Sequence, residues 1–216
     1  MRNFKRFSRW VYPAVVGLAA MPVWLVGHAQ TLAGPELVTQ LRLGGYVIVM
    51  RHASSPRNPP DITQVNADNT ERERQLDLSG RLAAKAMGTS LRELKIPIGS
   101  VMSSPTYRAL ETVRLAQFGA VNTYPQLGDS GQSMQSDSTG TRAEWLRLQA
   151  GVRPAAGTNT IIVTHFPNIT EAFPQSSDQL ADGEALIFRP DGHGAAALVA
   201  RVKIEQWPQL AAPRTH

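Results

Sequence analysis

The chain has 216 residues, 22 Lys and Arg against 17 Asp and Glu, and no cysteine, so it holds neither disulfides nor thiolate metal sites. Four of the basic residues (Arg2, Lys5, Arg6 and Arg9) and none of the acidic ones fall in the first 29 positions. The rest stands at only +1, which argues against nucleic acid as a partner.

Those first 29 positions read as a leader: a basic start, an apolar stretch from Trp10 to Val26 broken by Pro13 and Pro22, then small residues at Gly27 and Ala29. The pattern is that of a secretory signal, with an uncleaved membrane anchor as the alternative because the stretch approaches spanning length. Export to a periplasm or beyond the cell is the expectation, and membrane contact is expected only through an uncleaved leader. Residues 30–216 suit one domain with a single core.

Along that domain, helical and apolar extended segments alternate. Residues 35–43 (PELVTQLRL) predict a short helix, and 45–51 (GYVIVMR) a strand buried on both faces, because Val47, Ile48 and Val49 run on without polar interruption. LSGRLAAKAMGTSLRELK follows as a helix, with Ser79 as its expected cap and Leu82, Ala86, Leu91 and Leu94 as its apolar face. GSVMSSP predicts strand and turn, and PTYRALETVRLAQF a helix capped by Ser104 with Pro105 at its first position. A helix near 141–150, the strand NTIIVTH, a short helix opened by Asn168, and two strands, EALIFRP and AALVARVKI, complete the series, the last two joined by a turn at 191–194. This alternation predicts an α/β layered domain with a mostly parallel sheet. Residues 54–76 and 119–139 are longer and more polar than ordinary connections, which favours binding loops.

Of the five histidines, His28 lies in the leader, His216 is terminal, and His193 sits in the glycine-rich turn. His52 and His165 each end an apolar strand, where parallel sheets place their ligands. SVMSSPTYR supplies a third strand end, with Arg108 in the first turn of the helix beyond it. Convergence of Arg51, His52, Arg108 and His165 would gather two guanidinium groups and two imidazoles. A phosphoryl group calls for such a set. Arginine matches its oxygens bidentately at any working pH, while a neutral imidazole attacks phosphorus through one nitrogen and is held by the other. His52 is then the expected nucleophile, Arg51 and Arg108 the clamp, and His165 the completion of the charge cage. Arg57, in PRNPP, is a candidate extension of the clamp against the plainer reading of a solvated loop charge.

VIVMRHA, LSGRLAAKA, SSPTYRALETVRLA and VTHFPNI stand in an order and spacing that resembles the histidine phosphatase superfamily, with its phosphoglycerate mutases and acid phosphatases. The resemblance runs from about residue 44 to 190. It implies a phosphoglycerate mutase-like three-layer α/β/α sandwich and a phosphohistidine on His52, with no metal or other cofactor. Three departures stand out. Ala53 replaces the glycine common after the Arg-His pair. Phe166 occupies the position where the acid-phosphatase branch has its proton-donating aspartate. The segment that carries the mutase branch's glutamate offers only Asp129. Asp129 and Glu184 are therefore both candidate general acids. The expected activity is hydrolysis of a small phosphomonoester, with an envelope sugar phosphate as the lead. The alternatives are a non-catalytic binder of phosphorylated glycan or lipid headgroups and, less favoured, a phosphomutase.

Overall fold

The computed structural model describes residues 31–56, 74–129 and 139–212. The leader, Arg57 and His216 lie outside these residues.

Along the chain come α1 (Gly34–Leu43), β1 (Val47–Arg51), α2 (Leu78–Glu93), β2 (Ile98–Ser103), α3 (Tyr107–Ala116), β3 (Asn122–Thr123) and a 3-10 turn (Pro125–Leu127). They are followed by α4 (Thr139–Ala150), β4 (Asn159–Thr164), α5 (Phe166–Ala172), β5 (Ala185–Pro190), β6 (Ala196–Val202) and α6 (Gln206–Ala211). Among the described residues the strands form one sheet in the order β3-β2-β4-β1-β5-β6. The four strands from β3 to β1 run parallel, and β5 and β6 are antiparallel additions at one edge. The fold is thus the mostly parallel α/β architecture read from the segment pattern.

β1 lies between β4 and β5 and is apolar on both faces because both are covered. Ile48 and Met50 join Met87, Leu91, Ile161, Val163 and Trp207 on one side. Val47 and Val49 join Leu146, Ile162, Ile169, Leu186 and Phe188 on the other. Successive strand residues point to opposite faces, so a run of four buried residues requires two cores. Helices α1, α2, α3 and α6 cover the first face and α4 and α5 the second, giving three layers.

Four local expectations need correction. In α2 the cap is Asp77, whose Oδ1 accepts from Gly80 N at 2.7 Å and from Ser79 Oγ at 2.6 Å. The buried face of α2 is Gly80, Ala84, Met87, Gly88 and Leu91, while Leu82 and Ala86 are exposed. Small residues form this contact because the backbone of α2 comes so close to its neighbours. A Cβ on Gly80 would stand 2.2 Å from Ser54 O, and one on Gly88 2.0 Å from Ala116 O. Helix α3 starts at Tyr107, two residues beyond Pro105, and Asn168 lies inside α5, where His165 holds the cap position.

Candidate active site

The carboxyl ends of β1, β2 and β4 converge, and each hands over directly to a side chain of interest. His52 follows β1, Ser104 follows β2 and leads into α3 with Arg108, and His165 follows β4. The backbone fixes this meeting point, since His52 N donates to Thr164 O at 3.0 Å and Ser104 N to Val163 O at 2.9 Å.

The two imidazoles are buried, with ring centroids 5.2 Å apart and planes at 63°. Hydrogen bonds set their tautomers. Nδ1 of His52 lies 2.8 Å from Ala53 O, a pure acceptor, so Nδ1 carries the proton and Nε2 keeps its lone pair. That Nε2 accepts from Arg108 Nε at 3.2 Å, and Arg74 NH2 stands 3.5 Å away. His165 has the opposite arrangement. Its Nδ1 faces Arg108 NH2 at 3.1 Å and must accept, so Nε2 bears the proton and donates to Ser104 Oγ at 2.9 Å. Burial, and next the Arg108 guanidinium, push the pKa of both rings well below the usual histidine value. Both are therefore neutral at pH 7.

Arg108 joins these groups. It is buried and touches both imidazoles, while its NH2 also donates to Asp129 Oδ2 at 2.5 Å. Thr112, one turn further along α3, accepts from Ala53 N at 3.1 Å and donates to Arg108 O at 2.8 Å, tying the start of the clamp helix to the loop that bears His52.

Arg51 lies at the same opening but is held differently. Its NH2 pairs with Asp182 Oδ1 at 2.6 Å, its NH1 donates to Leu180 O at 3.2 Å, and its guanidinium carbon sits 5.4 Å from the Phe166 ring centre. A cavity of about 250 Å³ is bordered by Arg51, His52, Arg74, Asp129, His165, Phe166 and Pro167. Its wall is cationic and imidazole-rich, with Phe166 as a large apolar exception.

The two candidate acids are separated. Asp129 borders the cavity, whereas Glu184 is 3% exposed and committed elsewhere, with Oε1 accepting from Arg201 Nε at 2.8 Å and Oε2 from Ala181 N at 2.9 Å. Glu184 thus braces the loop whose Asp182 and Leu180 hold Arg51. Sequence reading overlooked Arg74, Ser104 as a partner of His165, Thr112 and Asp182. Arg74 and Asp129 do come from the two long polar segments singled out as binding loops. Among the described residues no group of three or more His, Asp or Glu side chains is placed to hold a metal.

Solved structures share this arrangement of sheet and helices. The protein histidine phosphatase SixA complexed with tungstate aligns with a TM-score of 0.55 at 16% identity, over 74% of this chain and 98% of that one. The chain has the histidine phosphatase fold. Two other solved structures superpose similarly. A phosphoserine phosphatase variant from Entamoeba histolytica in complex with phosphoserine has a TM-score of 0.52 at 14% identity, over 74% of this chain and 98% of that one. YhfR of Bacillus stearothermophilus has a TM-score of 0.52 at 16% identity, over 71% of this chain and 94% of that one. No protein-family model and no curated protein matches the chain, so the likeness lies in the histidine phosphatase fold itself.

Proposed function

We propose that the chain is a phosphatase that hydrolyses small phosphomonoesters through a phosphohistidine on Nε2 of His52. One observation carries this reading: a buried, neutral imidazole, with Nδ1 fixed by Ala53 O and Nε2 unprotonated and accepting from Arg108, borders a cavity whose wall also carries Arg51 and Arg74. Nε2 attacks phosphorus, the bond from phosphorus to the ester oxygen breaks, and the alcohol leaves with a proton. Water then attacks the phosphohistidine and returns a proton to the group that supplied the alcohol's, inorganic phosphate departs, and the imidazole is restored. Arg108, Arg74 and Arg51 neutralise the phosphoryl oxygens, and His165 orients Arg108 by accepting from its NH2 at Nδ1. Asp129 serves as the proton donor. A phosphate seated against Arg108 takes over that guanidinium and leaves the Asp129 carboxyl at the cavity wall beside the leaving oxygen. The fold neighbours support the reading through their ligands, tungstate in one and phosphoserine in another.

Release of inorganic phosphate from a panel of phosphomonoesters that includes sugar phosphates tests the activity. His52→Ala is expected to reduce it at least about a thousandfold. Intact-mass measurement during turnover is expected to show a phosphate adduct that the variant lacks. A chain that hydrolyses none of the panel yet binds phosphate through Arg51 and Arg108 would instead be a binder of phosphorylated headgroups. In our reading residues 30–216 form one catalytic domain, and residues 1–29 direct it out of the cytoplasm. Recovery of the protein from a periplasmic or culture-medium fraction, with loss of the leader's mass, checks that part.

A further inference from the structure

The cavity wall carries one group that the phosphoryl chemistry does not use. Phe166, which follows His165 and opens α5, is 39% exposed although it is large and apolar. Its neighbours at the opening are charged or imidazole side chains, apart from Pro167. The ring is braced from one side: the Arg51 guanidinium carbon lies 5.4 Å from the ring centre, and Arg51 is itself held by Asp182 and Leu180 O. One face of the ring is thus covered by a fixed cation, and part of its exposed surface borders the cavity that holds His52. An apolar surface kept at the mouth of a polar cavity, and held in orientation there, is a ligand-facing feature rather than a packing one.

We propose that Phe166 is a stacking platform for the leaving group, and that the site favours phosphate esters whose alcohol carries a ring with a flat apolar face over acyclic esters. The proposal rests on the phosphatase reading and names its substrate class. With phosphorus at Nε2 of His52, the ester oxygen points away from the imidazole toward the opening, where Asp129 and Phe166 stand on the wall. Phenols offer such a face through their π system, and pyranose sugars through their axial C–H groups. Stacking on an aromatic ring changes affinity between about twofold and about tenfold.

The test measures kcat/KM for phenyl phosphate, glucose 1-phosphate and glycerol 3-phosphate in the wild-type chain and in Phe166→Ala, Phe166→Leu and Phe166→Tyr. Comparing each variant with wild type on the same ester cancels the esters' intrinsic reactivities. The expected result is a fall in the ratio of cyclic to acyclic kcat/KM by about twofold to about tenfold in Phe166→Ala, a smaller fall in Phe166→Leu, and retention in Phe166→Tyr. Whichever cyclic ester loses more shows whether the platform takes an aryl or a sugar ring. Equal losses on all three esters would overturn the proposal, because Phe166 would then act only through Arg51. Phosphate release with unchanged ratios sinks the platform alone. No release from any ester by wild type, with no adduct on His52, removes the phosphatase reading and the platform with it.

Discussion

Asp129 shows how one side chain's partner decides what a substitution will reveal. Its Oδ2 is hydrogen-bonded to Arg108 in the free site, so Asp129→Asn changes both the proposed proton donor and the charged anchor of Arg108. The two roles separate by leaving group. As proton donor, Asp129→Asn is expected to lower kcat by about a hundredfold or more on alkyl phosphates and far less on nitrophenyl phosphate, whose leaving group needs no proton. As anchor only, the loss would be the same for both, and a plot of log kcat against leaving-group acidity distinguishes them. Arg74 is a second informative position. Its guanidinium lies 3.5 Å from Nε2 of His52, the proposed nucleophile, so Arg74→Ala is expected to raise KM for every ester alike while leaving the tautomer of His52 unchanged. Substrate titrations across the same panel check this.

At the scale of elements, the site depends on how closely α2 and α3 approach the loop after β1. Asp77 accepts from Ser54 Oγ at 2.7 Å, Ser54 O accepts from Asp77 N at 3.1 Å, and Gly80 presses its Cα against that same carbonyl. The start of α2 is therefore clasped to the segment two residues beyond His52. Gly80→Ala places a methyl group where backbone already stands, and neither partner is a flexible side chain. The expected cost is about 1–3 kcal/mol of stability, together with reduced activity as the His52 loop shifts. Chemical denaturation and steady-state rates of the same preparation check both. From the other side, Thr112→Val leaves the buried N–H of Ala53 without its acceptor, with an expected loss of about 1–3 kcal/mol. Thr112→Ser keeps the hydroxyl and is expected to retain most of the stability.

Across the whole molecule, burying two neutral histidines makes stability depend on pH. Their pKa values lie well below 6.5 in the folded chain and return to about 6.5 on unfolding. Between the folded and unfolded values, the unfolded chain binds protons that the native one does not. This contribution is complete above about pH 6.5 and is lost as the pH falls. Each histidine adds a slope of up to about 1.4 kcal/mol per pH unit in that window. Denaturation midpoints measured from pH 7.5 down to pH 5 are expected to fall, with a shallower slope in His165→Gln. The same depressed pKa keeps Nε2 of His52 available below neutrality, so the acid limb of kcat/KM is expected below pH 6.5.

Legibility in the sequence followed the range of the physics. Apolar runs at 47–50 and 161–163 announced central strands, since a strand covered on both faces has to be apolar without alternation. Arg51, His52 and His165 were readable because they sit at the ends of such runs, and Arg108 because it stands in the first turn of the helix after β2. The buried face of α2 was not readable from periodicity, because close backbone approach selects glycine and alanine there and leaves Leu82 outside. Arg74, Thr112 and Asp182 carry no local signal, for a guanidinium, a hydroxyl or a carboxylate in a polar segment looks alike whether it faces solvent or a site. Between Asp129 and Glu184 the sequence by itself was neutral. Only the tertiary structure parted their surroundings, because which cation a carboxylate reaches depends on long-range packing: Glu184 pairs with Arg201 away from the cavity lining, whereas Asp129 borders the cavity and pairs with Arg108.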